Sequence, residues 1–128
     1  IRRNYKSKNC IEFFTPSNFS QQLGYMKRPI GHEIKPHAHK KKIKKIEFTQ
    51  EVLFIKSGKI RVDFYDKEKK YLLSKILNKG DIIMLSEGAH GFRVLEECEM
   101  YEVKQGPYDE SSDKEKFEGI LDKEAKIE

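Results

Sequence analysis

Residues 51–65 read EVLFIKSGKIRVDFY. Glu51–Ile55 is a short run with Glu51, Leu53 and Ile55 on one parity. Lys56–Gly58 supplies a tight turn. Ile60, Val62 and Phe64 then alternate with Arg61, Asp63 and Tyr65. A period of two puts alternate side chains on opposite faces of a strand, so these residues predict two strands with one apolar face. Glu51 shares the parity of Leu53 and Ile55 and is expected to face inward with them. An inward carboxylate is costly to bury unless a cation or hydrogen-bond donors meet it.

Outward from that stretch the same pattern repeats. Upstream, Ile11–Thr15, Gln22–Lys27, His32–His39 and Ile43–Phe48 read as strands, with Pro36 confining the third to an edge or bulge. Downstream, Asp66–Lys70 is a charged turn, followed by strands at Tyr71–Leu77, Asp81–Leu85, His90–Leu95 and Cys98–Lys104. Asn78–Gly80 and Glu96–Glu97 supply the intervening turns. Turn spacing of about 8–12 residues is that of an all-β sandwich or barrel. A short C-terminal helix over Asp113–Leu121 is the one helical expectation, with Ser112 as N-cap and Glu115 at capping-box spacing. A charged tail is the alternative.

The chain has 128 residues, enough for one domain, with a core from about residue 11 to 108 and a charged tail or helix over 109–128. Charged residues make up 37% and the net charge is +5, much of it in Lys40, Lys41, Lys42, Lys44 and Lys45. No apolar run is long enough to span a bilayer. The start, IRRNYKSKNC, lacks the apolar segment of a signal peptide. Cys10 and Cys98 do not make a disulfide framework and read as free thiols of a reducing, cytoplasmic compartment.

Three of the four histidines stand where one ion could collect them. His37 and His39 share a strand face, with Ala38 opposite, and His90 shares parity with Phe92 and Val94. His32 has the opposite parity and is expected on the surface. Three imidazoles with Glu51 suit Zn, Fe, Mn, Ni, Co or Cu better than Mg or Ca.

Gly31–X5–His37–X–His39–X11–Glu51–X6–Gly58 resembles the first motif of the cupin superfamily, and Gly80–X5–Ser86–X–Gly88–X–His90 is similar to the second. The resemblance implies a double-stranded β-helix, or jelly-roll barrel, with His37, His39, Glu51 and His90 as ligands of a divalent transition metal. The gap between His39 and Glu51 is lengthened by the lysine run, which makes Glu47 the substitute ligand. The resemblance also implies a homodimer, with Ile11–Phe14 as a strand that adds to a neighbour. The ending MYEVKQGPYDESSDKEKFEG is similar to small bacterial cupins linked to surface-polysaccharide metabolism.

These readings point to a metal-dependent protein acting on a small polar molecule such as a sugar or carboxylate, with isomerase, epimerase or oxygenase chemistry among the reactions. Tyr25, Tyr101, Arg93 and Glu47 are the candidate acids, bases or anchors. Lys104, Gln105 and Tyr108 either rim a pocket or terminate the sheet. A non-catalytic metal and ligand-binding sensor or scaffold is the alternative. Nucleic-acid binding through Lys40–Lys45 is a remoter one, because aromatics are not interleaved with the lysines.

Overall fold

The computed structural model describes residues 1–107 and 114–128. Nearly all its regular structure is β, and every ladder is antiparallel. The chain forms two compact units. One comprises Ile1–Asn4 and Phe48–Glu128, and the other Tyr5–Glu47.

The first unit is a sheet built on one long strand. In chain order its strands are β3 (Glu51–Tyr65), β4 (Tyr71–Asn78), β5 (Ile82–Leu85) and β6 (Ala89–Lys104). Arg61 is paired with both Ile76 of β4 and Arg93 of β6, and Glu51 with both Leu85 of β5 and Lys104 of β6. A strand has two edges, so β4 and β5 share one edge of β3 and β6 takes the whole of the other. Leu53, Ile55, Ile60, Val62, Leu77 and Leu85 form the buried core, with Phe64, Ile83, Cys98 and Met100 packed against it.

Two predicted turns are corrected here. Lys56–Gly58 and Glu96–Glu97 do not end strands. They lie inside β3 and β6 and face each other across the ladder, where the register shifts between Ile55 and Ser57, Ser57 and Lys59, and Lys59 and Ile60. These are bulges, which bend a strand without ending it. Gly58 has φ +76°, and a Cβ there would lie 1.9 Å from the Glu97 carbonyl oxygen. Only glycine lets the two backbones approach so closely at this corner.

The bend has a measurable result. Residues 51 and 64 of a straight strand would stand about 40 Å apart at ~3.3 Å per residue. Yet Glu51 touches His90, the ladder partner of Phe64, at 3.2 Å. The sheet therefore folds over its own apolar face, which explains how a single sheet encloses a core.

The opposite face of residues 60–65 is also covered. Residues 120–128 cross it as a strap. Lys126 and Glu128 bond the backbone of Ser74, and Ser74 and Ile127 form a parallel bridge. Tyr65 accepts from the Ile120 backbone and Tyr71 from that of Lys126. Beneath the strap Arg61, 6% exposed, donates to both carboxylate oxygens of Asp63 at 2.8 and 3.0 Å. The Ser74 hydroxyl donates to the same carboxylate. The strand that alternation marks as half-buried is thus buried on both faces, one apolar and one ionic.

The expected C-terminal helix is absent over the described residues 114–121. A single 3-10 turn, Asp122–Glu124, stands just beyond. Tyr108, Ser112 and Asp113 lie outside the described residues.

The second unit carries β1 (Ile11–Phe13) and β2 (Gly24–Met26), paired as a two-stranded ribbon. Tyr5 packs edge-on against Phe14 and Tyr25. The strands expected at His32–His39 and Ile43–Phe48 do not form, and both stretches are exposed. Pro36 removes one ladder donor from the first stretch, and no strand pairs with either stretch among the described residues. Cys10 and Cys98 are both free. No helix among the described residues is long and apolar enough to cross a membrane.

Candidate functional site

Glu51 opens β3, and His90 stands at the start of β6, directly after a tight turn. Gly88 in that turn has φ +77°, and a Cβ would approach the Tyr65 carbonyl oxygen to 2.5 Å, so glycine is what delivers His90 onto the strand. Glu51 is 5% exposed and inward alongside Leu53 and Ile55, as its parity requires. His90 Nε2 lies 3.2 Å from Glu51 Oε2, and its ring packs beside Phe92 at 5.2 Å between centroids.

The carboxylate is not left alone. Lys114 Nζ lies 3.8 Å from Oε1, and Lys104 is the cross-strand neighbour of Glu51. The His90 hydrogen bond holds the Glu51 carboxyl below the ordinary value of 4.5. Burial pushes the other way, and the positive charges of His90, Lys114 and Lys104 add to the lowering. The donors that a buried carboxylate requires are therefore present in the protein itself.

The other two histidines lie together in the second unit. His37 and His39 have ring centroids 5.4 Å apart at 79°. His37 Nδ1 lies 3.0 Å from the Lys35 carbonyl oxygen. A carbonyl only accepts, so that contact puts the proton on Nδ1 and leaves the Nε2 lone pair available to a ligand. His32 is exposed, but so are His37 and His39, because the strand whose parity would have separated them does not form.

One carboxylate and one imidazole match the N/O preference of first-row transition ions. Among the described residues no group of three or more His, Cys, Asp or Glu side chains is gathered to hold one. The structure thus brings together the sequence-predicted pair Glu51 and His90, and separately the pair His37 and His39.

The remaining candidates have plain environments. Glu47 is exposed and paired with Lys45 at 2.8 Å, while Glu51 is the partner of His90. Tyr25 is half-buried in the β1–β2 ribbon, and Tyr101 is exposed beside Phe54. Arg93 donates to Asp122 at 2.9 Å. Gln105 accepts a hydrogen bond from the Gln50 backbone at 2.7 Å, so its side chain caps the entry to β3. Burial raises the Cys98 thiol, with the Glu99 charge adding to it.

Sequence reasoning missed Asp122, Ser74 and the Arg61–Asp63 pair. The alternation of charged residues in RVDFY was the available signal, but it looked like a solvated face.

No family model, curated protein or solved structure matches the chain.

Proposed function

We propose that this chain is a cupin-like jelly-roll protein that binds a divalent transition metal through Glu51 and His90, and through that ion a small polar ligand such as a sugar or carboxylate. The observation that carries this reading is the contact between Glu51 and His90. Two residues 39 positions apart bring an oxygen and a nitrogen donor within 3.2 Å on the inner face of a folded sheet. His37 and His39 form a separate imidazole pair that the motif resemblance also names as ligands, and the lone pair left on His37 Nε2 suits metal binding there.

Bound there, the ion would act as a Lewis acid toward an oxygen of the ligand. The chain's own part is to orient both donors and to keep water from the carboxylate, which the core residues Leu53 and Ile55 do beside Glu51. A carboxylate and an imidazole hold an ion only in their unprotonated forms, so occupancy falls in acid. The reading includes a homodimer, supported by the outer edge of β6, which pairs with no other strand among the described residues.

The test is elemental analysis of protein purified without a metal-affinity tag. Wild type is expected to carry stoichiometric transition metal, and Glu51→Gln and His90→Ala to lose it while still unfolding cooperatively. Repeating it on His37→Ala and His39→Ala reads the contribution of that pair. Wild type free of metal after incubation with Zn, Mn, Fe, Ni, Co and Cu salts would make Glu51–His90 a purely structural pair.

A further inference from the structure

Arg61 of β3 and Arg93 of β6 are direct partners across the ladder. Like charges directly opposite each other destabilise a sheet unless an anion lies between them. Asp63 answers part of this by gripping Arg61 through Nε and NH2, which fixes the guanidinium and leaves NH1 turned outward. One carboxylate completes the arrangement. Asp122 Oδ1 receives Arg61 NH1 at 3.1 Å, and Oδ2 receives Arg93 NH2 at 2.9 Å. Each oxygen is held by a different arginine, a geometry suited to a planar carboxylate.

We propose that Arg61 and Arg93 form a carboxylate-binding cradle whose resident occupant is the chain's own Asp122, and that a small external carboxylate competes for it. Three features make the occupant exchangeable. The Asp122 side chain is 58% exposed and that of Arg93 60%, so water already reaches the contact. Asp122 sits in the 3-10 turn between two anchors, the Ile120 amide on Tyr65 and the Lys126 amide on Tyr71. The turn contains no buried residue, so it lifts without uncovering core while both anchors hold. Arg61 stays positioned throughout, because Asp63 retains it.

The experiment titrates malonate into wild type, Asp122→Ala and Asp122→Asn by calorimetry, with chloride at matched ionic strength as control. Binding is followed in parallel on the side-chain Nε–H resonances of the arginines. Both variants are expected to bind malonate at least tenfold more tightly than wild type, with two arginine resonances moving. Adding Arg93→Ala to Asp122→Ala is expected to abolish that gain. Arg61 is left intact because it is buried. Equal affinity in wild type and both Asp122 variants, a gain that survives Arg93→Ala, or an equal response to chloride would each overturn the proposal. Malonate binding that persists in Asp122→Ala/His90→Ala separates this cradle from the Glu51–His90 site, so failure of one reading leaves the other standing.

Discussion

The two units of this chain were written in similar letters and folded differently. Phe48–Glu128 and Tyr5–Glu47 both contain short apolar alternations broken by charge, yet the first holds four strands around a core and the second two strands of three residues each. Ile43 and Ile46 stand among lysines as Ile60 and Val62 stand beside Arg61 and Asp63, although at a spacing of three rather than two. Ile43 is fully exposed, whereas Val62 is fully buried. The difference is the presence of pairing edges. Val62 has Lys75 on one side and Phe92 on the other, while no strand pairs with Ile43 among the described residues. Alternation proposes a face, and only long-range pairing turns that face into an interior.

The largest test of that contrast is in the core. Ile55→Ala removes a side chain with no solvent exposure and is expected to lower unfolding free energy by about 3 kcal/mol. Ile43→Ala should leave the denaturation midpoint where it was, because that side chain is wholly solvated. Chemical denaturation of both variants reads the contrast directly. An equal loss would mean that the lysine-rich stretch is buried after all.

Glycines sharpen the comparison at the next level. Gly58→Ala drives a methyl group into the Glu97 carbonyl, and should cost about 2 kcal/mol through forced backbone movement. Gly31 has a similar φ of +81° but nothing within 4 Å of its would-be Cβ. Its replacement by alanine carries only the backbone penalty of about 1 kcal/mol. Thermal melts that rank the two the other way would relocate the corner of the sheet.

Carboxylates give the smallest and most specific effect. Asp81 is buried, which pushes its carboxyl upward. The Asn78 and Arg3 backbone amides and the Arg2 guanidinium outweigh this and hold it below the ordinary 3.8. With the folded value below the unfolded one, the contribution to stability is complete above pH 3.8 and fades as pH falls through the lowered folded value. Asp81→Asn should therefore lose about 1.5 kcal/mol at neutral pH and flatten the acid limb of the stability curve. Glu12, lowered by hydrogen bonds from Ser7 and then Tyr5 in the other unit, is less buried than Asp81. Glu12→Gln should leave that limb almost unchanged, and urea titrations from pH 2.5 to 7 distinguish the two.

Much of the sheet was legible from the residues. The runs at Tyr71–Leu77 and Asp81–Leu85 coincide with β4 and β5 to within a residue, and the inward reading of Glu51 follows from Leu53 and Ile55. What could not be read locally was the difference between a turn and a bulge. Both interrupt a period of two, and both favour glycine or charge. At Ser57–Gly58 and Glu96–Glu97 the answer lies in the pairing of segments some forty residues apart. The strap was equally hidden. Nothing near Arg61 and Asp63 announces that Ser74, Tyr71 and Asp122 will close over them, so a charged alternation reads as wet until its cover is known. The upstream strands failed for the complementary reason, since His32–His39 and Ile43–Phe48 have the letters of strands and no pairing strand among the described residues.

The strap also bears on how the molecule is made. Arg61 and Asp63 leave the ribosome well before Ile120, Asp122 and Lys126, the groups that roof them over. Until those later residues emerge, a nascent chain can assemble its oily layer but must keep the opposite, ionic layer wet. Sealing of that side is consequently a late event of synthesis, and ribosome-stalled chains halted before residue 120 would display the guanidinium of Arg61 to any passing polyanion.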